Sequence, residues 1–300
     1  MNKFSDERSG PDAEAAKLRI AAIRFLNPAP LMWDFEHEPH KSKLAARYQL
    51  ELMLPAACAE RLALPIDHPQ AADIGLVPVA ALAVTPGLRI LPGCVIASKR
   101  KVRSILLVRR ASQPLTEIRT IAADTSSRAS IAYTQILFRR WWNPEAIFLP
   151  HHPDLDPMLE AADAALLIGD PALFALEERQ NREERASEEL VYHDVAEEWI
   201  KLTGTPWVAA VWAIREASLQ SSARTLEEIA SDFTASRDRG LANIETLVEE
   251  WSPRLPIPSN TIRTYLTSNI HYYLDSECQS GLRRFYELAA ETSILPPYSL

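Results

Sequence analysis

Short apolar runs separated by polar or helical stretches dominate the first two thirds of the chain. These runs are rich in Ile, Val and Leu and are mostly continuous rather than alternating: LRIAAIRFL (18–26), IGLV (74–77), LRILPGCVIAS (88–98) and VRSILLVRR (102–110). Continuous apolar strands separated by helices are typical of sheets covered on both faces, as in parallel α/β proteins. Residues 43–64 are predicted to be helical, with an interruption near Pro55.

A second α/β unit is predicted to begin near residue 117. Its expected elements alternate between strand and helix: a strand at 118–123, a helix at 126–141, a strand at 146–150, a helix at 155–161 and a strand at 164–170. From PWVAAVWAIR (206–215) onward the pattern becomes mainly helical. Thr225 and Glu228 have the spacing of a capping box, and at least three more helical stretches follow, with no further strand predicted.

These elements predict a two-lobed protein in which the chain crosses to a second lobe and later returns. The expected boundaries are a disordered tail at 1–16, lobe one at 17–112, lobe two at 113–207, and a return strand with C-terminal helices on lobe one at 208–300. In open sheets, loops at the carboxyl ends of strands line the crevice where ligands bind. Four loops qualify: 27–30, 77–79, 124–127 and 169–170.

The stretch DTSSRAS (124–130) places several small polar side chains where a strand is predicted to become a helix. One explanation is helix capping, since Asp, Ser and Thr side chains accept hydrogen bonds from the free N–H groups of a first turn. The other is an anion site, because hydroxyls and the positive end of the helix dipole favour a carboxylate or phosphate. Both explanations stay open, as does the direction of the Arg128 side chain.

Composition narrows the classes of function. The 300 residues are 47% hydrophobic and 24% charged, with a net charge of −8, which is unfavourable for nucleic-acid binding. The three cysteines are widely spaced, and neither a secretory signal nor a membrane-spanning run is present, so a cytoplasmic location is expected. Only 8 glycines occur, without a P-loop or GxGxxG, and no metal-binding spacing is seen. No metal or nucleotide cofactor is therefore predicted.

Six segments in order then resemble one known family: RFLNPAP, ADIGLVPVAAL, ILPGCVIASKRKVRSILL, DTSSRAS, DAALLIGDPAL and HDVAEEWIKLTGTPWVAAVWAIR. Together they resemble chorismate dehydratase of the futalosine route to menaquinone, the MqnA family, over about residues 18–288. The resemblance implies a type 2 periplasmic-binding-protein fold, with each lobe a parallel-rich sheet flanked by helices. It also implies a cytoplasmic, cofactor-independent lyase, monomeric or homodimeric, acting on the small molecule chorismate.

Loss of the ring hydroxyl at C4 with the proton at C3 would aromatise chorismate to 3-[(1-carboxyvinyl)oxy]benzoate. On this resemblance Asn27 and Ser98 are the expected catalytic residues. The expected substrate-binding residues are Ser104, Thr125, Ser126, Ser127, Gly169 and Asp170. Whether Ser98 or Ser104 faces the substrate stays open. The alternative function is a non-catalytic cytosolic binding protein or sensor for a small aromatic carboxylate.

Two positions depart from the family pattern as the resemblance implies it. A glycine is expected near Arg100, and a tyrosine is common where this chain has His193. The dihydroxynaphthoate synthase of the same route shares the fold, but its first loop usually carries cysteine and asparagine, which RFLNPAP does not match.

Overall fold

The computed structural model describes residues 17–179, 181–182 and 189–300, so the predicted tail at 1–16 lies outside the described residues. Eleven strands are formed in this part of the chain: β1 Leu18–Ile23, β2 Tyr48–Met53, β3 Ile74–Pro78, β4 Leu88–Ser98, β5 Ile105–Arg110, β6 Thr120–Asp124, β7 Ile147–His151, β8 Ala164–Ile168, β9 Leu190–Asp194, β10 Trp207–Arg215 and β11 His271–Tyr273. They build two sheets, ordered β11-β4-β10-β3-β1-β2 and β7-β6-β8-β5-β9.

Helices cover both sheets. Over the same described residues they are α1 Trp33–Glu36, α2 His40–Ala45, α3 Pro55–Ala63, α4 Val79–Leu82, α5 Arg128–Trp141, α6 Leu155–Ala161, α7 Asp170–Glu177, α8 Val195–Thr203, α9 Glu216–Ser221, α10 Leu226–Ala242, α11 Ile244–Trp251, α12 Ser259–Thr264 and α13 Ser276–Glu291. Short 3₁₀ turns occupy Ala29–Met32 and Leu115–Glu117, and a π-helical turn occupies Tyr265–Asn269. The predicted capping box is formed, because Thr225 and Glu228 bond each other's backbone N–H groups at the start of α10.

The two sheets define two lobes, as predicted, and the chain passes between them twice. The first passage is residues 99–104, between β4 and β5, and the second is residues 204–206, between α8 and β10. The expected lobe boundary at residue 112 therefore falls after β5, although β5 pairs with β8 and β9 in the second sheet. Continuous apolar residues run through both β4 and β5, so the hydrophobic pattern does not mark the passage between them.

Both sheets are mixed rather than parallel-rich. Parallel pairing joins β1 to β2 and β3, and β6 to β7 and β8. The strands beside the passages run antiparallel, because β4 leads out of the first lobe and β10 leads back into it. β5 is likewise antiparallel to both of its neighbours.

Three strands were not predicted from the sequence: β2, β9 and β11. Each lies at an edge of its sheet. β2 falls in the stretch expected to be helical, and only its two end residues are buried. An edge strand pairs on one side only and is half exposed, so it lacks the continuous apolar run that marks a central strand.

An aromatic cluster joins the lobes behind the cleft. The ring of Tyr133 on α5 lies 4.5 Å from Trp199, 5.6 Å from Trp207 and 4.3 Å from Phe285, between ring centroids. Phe285 belongs to α13, whose residues pack against β10 of the first lobe. This packing fixes α5 so that its first turn faces the other lobe. No helix in the described ranges has the length and hydropathy needed to cross a bilayer.

Candidate functional site

A small cavity lies between the lobes, at the ends of strands from both sheets. Its lining is Ile23, Phe25, Asn27, Pro55, Pro78, Ser104, Ile105, Ser127, Ser130, Ile168, Gly169, Trp207, Ala209 and Ala210. Its volume of about 30 Å³ is room for one or two water molecules. The structure therefore has the cleft closed. Four of the eight expected site residues line this cavity, namely Asn27, Ser104, Ser127 and Gly169.

Asn27 follows β1 in a turn stiffened by the prolines at 28 and 30. Its backbone carbonyl accepts a hydrogen bond from the hydroxyl of Tyr272, with 2.9 Å between the oxygens. Its side-chain Oδ1 is buried and has no hydrogen-bond partner among the described residues. A buried amide oxygen without a partner is costly, so this side chain is available to a ligand.

The DTSSRAS stretch divides its polar side chains between different tasks. The Asp124 carboxylate accepts from the Ser126 N–H at 2.8 Å, and Ser127 caps α5 by accepting from the Ser130 N–H at 3.5 Å. The Ser130 hydroxyl also donates to the Ser127 hydroxyl at 3.1 Å. The Ser126 hydroxyl is buried without a partner in the described ranges, and Thr125 is exposed. Capping thus uses one residue, and of these side chains only Ser127 and Ser130 line the cavity.

The two serines of the first passage differ in what they face. Ser98 ends β4, is fully buried and accepts from the Arg100 N–H at 3.2 Å; it does not line the cavity. Ser104 lines the cavity, and its hydroxyl accepts from the Tyr265 hydroxyl at 2.8 Å. On this geometry Ser104 is the better placed of the two to contact a ligand.

Asp194 fixes the backbone just before Ser104. Its carboxylate accepts from the N–H groups of Val102 at 3.2 Å and Arg103 at 2.6 Å, and it also caps α8. Arg103 has φ +62°, a conformation that non-glycine residues adopt only when their surroundings impose it. The second lobe therefore determines where the passage places Ser104.

Gly169 and Asp170 bring the end of β8 against the first lobe. Gly169 has φ +74°, and a Cβ on it would lie 3.0 Å from the Phe25 ring. The Asp170 carboxylate accepts from the Leu26 N–H at 3.5 Å, and burial raises its pKa to about 6. Both residues thus contact the turn that carries Asn27.

Further contacts between the lobes lie at the outer edge of the cleft. The Ala56 N–H donates to the Ser126 carbonyl at 3.2 Å. Arg128 lies 3.5 Å from Glu60 of α3, and both side chains are largely exposed. Arg128 therefore pairs at the surface, and no cationic side chain is among the cavity-lining residues of the described chain.

Three residues of the site had not been predicted: Ser130 lines the cavity, and Tyr265 and Tyr272 bond residues that line it. Ser130 lies one helical turn beyond Ser127, a spacing that places it on the same helix face and could have identified it. Tyr265 and Tyr272 reach the site from the C-terminal part of the chain, more than 160 residues after Ser104. No local sequence signal connects such distant positions.

A candidate metal-binding group lies on β11 and α13. The potential ligand atoms of His271, Asp275 and Cys278 lie within 4.8 Å of one another. However, the Lys99 ammonium lies 2.8 Å from the Asp275 carboxylate, and burial raises the pKa of the Cys278 thiol to about 12. A thiol must lose its proton to bind a metal, so this group fits an ion pair with lysine better than a metal site.

Comparison with known proteins gives both a family and a fold. A family model described as menaquinone biosynthesis matches residues 18–291. A chorismate dehydratase from Thermus thermophilus is 26% identical over 210 residues, covering 67% of this chain and 73% of the relative.

Among solved structures, protein AF1704 from Archaeoglobus fulgidus superposes with a TM-score of 0.71 at 14% identity, covering 95% of this chain and 100% of that one. The periplasmic aliphatic sulphonate-binding protein SsuA from Escherichia coli superposes with a TM-score of 0.62 at 12% identity, covering 93% and 88%. These likenesses confirm the predicted periplasmic-binding-protein fold.

Proposed function

This chain belongs to the menaquinone biosynthesis family, and we propose that it is a lyase that converts chorismate to 3-[(1-carboxyvinyl)oxy]benzoate and water. The chorismate dehydratase to which it is similar supports the reaction, and the mainly apolar cavity between the lobes, with Asn27 and three serines in its lining, supports a small-molecule substrate. The proposal includes the cytoplasmic setting and the cofactor-independent chemistry that the sequence resemblance implies.

The observation that carries the proposal is the Asn27 side chain. It lines the cavity with a buried Oδ1 that has no partner among the described residues. An amide has one acceptor and two donor hydrogens. Its Oδ1 can therefore accept from the C4 hydroxyl of the substrate, and its Nδ2 hydrogens can donate to the departing oxygen as the C–O bond breaks. A preorganised donor at a developing negative charge is worth about 10²–10³ in rate.

The reaction needs a group that takes the C3 proton. Among the described residues that line the cavity there is neither a histidine nor a carboxylate. We therefore assign proton removal to the enolpyruvyl carboxylate of the substrate itself. The electron pair of the C3–H bond becomes part of the aromatic ring as the C4–O bond breaks. The transferred proton then leaves with the hydroxyl as water. The protein then acts mainly by orientation, which can supply about 7–11 kcal/mol.

Neutral donors would hold the two substrate carboxylates. Ser126 and Ser104 provide hydroxyls on the second lobe and the first passage, and the first turn of α5 adds N–H groups and the positive end of its dipole. Hydrogen bonds to charged groups contribute about 1.5–3 kcal/mol each, so a few such bonds can replace a cationic side chain. Because the closed cavity holds only about 30 Å³, entry of the substrate requires the lobes to separate.

The test is to incubate the purified protein with chorismate and to follow the product by chromatography and mass spectrometry. We expect loss of one water from chorismate at a rate proportional to protein concentration. The Asn260→Ala variant, changed at an exposed asparagine of α12, is the matched control and should keep full activity. A parallel reaction with heat-denatured protein measures the rate at which chorismate breaks down spontaneously.

Other outcomes would contradict the proposal in distinct ways. Binding of chorismate without a change of mass would indicate a binding protein or sensor. Neither binding nor turnover would mean that the family fold serves another substrate, and other aromatic acids would then be tested in the same assay.

A further inference from the structure

We propose that Tyr265 is a positioning residue that makes the Ser104 hydroxyl a hydrogen-bond donor into the cleft. The two hydroxyl oxygens lie 2.8 Å apart, and Tyr265 donates to Ser104. This inference rests on the proposed function, because it concerns how the same cavity holds its anionic substrate.

The direction of this hydrogen bond decides the role of Ser104. A serine hydroxyl has one hydrogen and two lone pairs. Once a lone pair of Ser104 accepts the phenolic hydrogen, the serine hydrogen must point elsewhere. Ser104 lines the cavity, and within the described chain its hydroxyl has no second side-chain partner. Its hydrogen is therefore available to an acceptor in the cleft, such as a substrate carboxylate.

The Tyr265 hydroxyl is kept protonated and so remains a hydrogen-bond donor. Tyr265 is 1% exposed, and burial raises its pKa well above the ordinary value, so the hydroxyl stays protonated. It begins the π-helical turn Tyr265–Asn269, whose wider hydrogen-bonding is reinforced by the bond from the Ile270 N–H to the Tyr265 carbonyl at 3.1 Å. Single π-helical turns occur frequently at functional sites.

The Ser104 backbone is fixed as well as its hydroxyl. Its carbonyl accepts from the Gly169 N–H at 2.7 Å, and the preceding Arg103 N–H is held by Asp194. With the backbone set by these bonds, the remaining freedom of Ser104 is the rotation of its side chain and hydrogen. Tyr265 removes that freedom. A fixed donor loses less entropy on binding than a rotating one.

The experiment is a double-mutant cycle on chorismate dehydration with Tyr265→Phe and Ser104→Ala. We expect Tyr265→Phe to raise KM about 5–10-fold with kcat changed less than about twofold, because a bond made equally to substrate and transition state affects KM alone. In the Ser104→Ala background, Tyr265→Phe should change KM less than about twofold, since coupled residues are not additive.

Tyr48→Phe is the matched control. Tyr48 is also a buried tyrosine, and its hydroxyl donates to Asp232 at 2.7 Å in the first lobe, outside the cavity lining. We expect Tyr48→Phe to leave KM and kcat unchanged in both backgrounds, and thermal unfolding shows whether the variants remain folded.

Three results would overturn the inference. Equal effects of Tyr265→Phe in the wild-type and Ser104→Ala backgrounds would mean that Tyr265 supports packing only, as would a fall in kcat with unchanged KM. Failure of the wild-type protein to bind or dehydrate chorismate would overturn the proposed function and this inference together, whereas additive penalties in an active enzyme would overturn this inference alone.

Discussion

The two walls of the cleft use their polar side chains differently. On the second-lobe wall, the hydroxyls of Ser127 and Ser130 bond each other and the helix backbone, and Asp124 orders its own turn. On the first-lobe wall, Asn27 is fixed only through its backbone carbonyl, and its buried Oδ1 is left without a partner in the described chain.

The difference separates polar groups that build the site from those that can act in it. Side chains already satisfied by the protein gain little from a ligand, because a new bond only replaces an old one. An unsatisfied buried group gains the full value of the bond. By this criterion the reactive part of the cleft is Asn27, together with Ser104, whose hydroxyl hydrogen has no acceptor among the described side chains, and DTSSRAS is mainly a scaffold.

The largest expected effect comes from removing the unsatisfied amide. Asn27→Ala should lower kcat for chorismate dehydration by about 100-fold or more, because a donor at the departing oxygen is lost. Unfolding temperature should change little, since the amide oxygen has no protein partner to lose among the described residues. Steady-state kinetics and thermal unfolding of the same preparation measure both quantities.

The second-lobe wall supplies the comparison for that variant. Ser130→Ala removes a hydroxyl that bonds Ser127 within the helix start, so it should affect kcat by less than about tenfold. A larger loss of kcat in Ser130→Ala than in Asn27→Ala would reverse the assignment of the two walls.

More of the fold than of the candidate site could be predicted from the sequence. The central strands β1, β3, β4, β5 and β10 carry continuous apolar runs, and the two-lobed fold follows from them. The half-exposed edge strands β2, β9 and β11 carry no such run and were missed. A crossing near VRSILLVRR (102–110) was expected, but the boundary was set at residue 112, after β5, because the passage at 99–104 lies between two apolar strands and only their pairing reveals it.

In the site, the residues near strand ends could be predicted and their partners could not. The loop carrying Asn27 and the turn at 124–127 follow apolar strands, so their place at the cleft follows from topology. The state of each hydroxyl depends on distant side chains, such as Tyr265 on Ser104. The sequence leaves open whether Ser98 or Ser104 faces the substrate, and only the three-dimensional contacts show that Ser104 lines the cavity while Ser98 does not.

Another prediction concerns Gly169, where the second-lobe wall touches Phe25 of the first-lobe wall. Gly169→Ala should destabilise the protein by about 1–3 kcal/mol, because φ +74° with ψ −142° is a backbone conformation adopted almost only by glycine. It should also press its Cβ to 3.0 Å from the Phe25 ring and displace the turn before Asn27. We expect kcat/KM to fall about tenfold or more, measured by steady-state kinetics.

Gly87→Ala is the matched control for this change. Gly87 has φ +72°, and a Cβ there meets no atom within 4 Å. The control should lose unfolding free energy through its positive φ, by no more than Gly169→Ala, with kcat/KM unchanged. If both variants lose activity alike, backbone strain rather than contact between the walls is responsible.

The remaining expected effect is on stability rather than on turnover, a dependence on pH at Asp170, the carboxyl of the second wall that accepts from the Leu26 N–H of the first. Burial raises its pKa in the folded protein from an ordinary value of 3.8 to about 6. The folded state therefore holds this proton more tightly than the unfolded state. Its stabilising contribution is complete below about pH 4 and is lost as pH rises through about 6. Asp170→Asn removes this dependence, because the amide carries no titrating proton and its oxygen can still accept from Leu26.

The variant should thus gain stability relative to wild type as pH rises from about 4 to 7, by up to roughly 2–3 kcal/mol, since each pKa unit corresponds to about 1.4 kcal/mol. Urea unfolding at several pH values measures the difference, and Asp67→Asn at an exposed position is the control that should show no such trend. A difference that stays constant over this range would mean that Asp170 is ionised without penalty. The two walls would then be joined by an ordinary charged contact rather than by a buried carboxyl, and Asn27 would lie in a more polar environment than the cavity lining indicates.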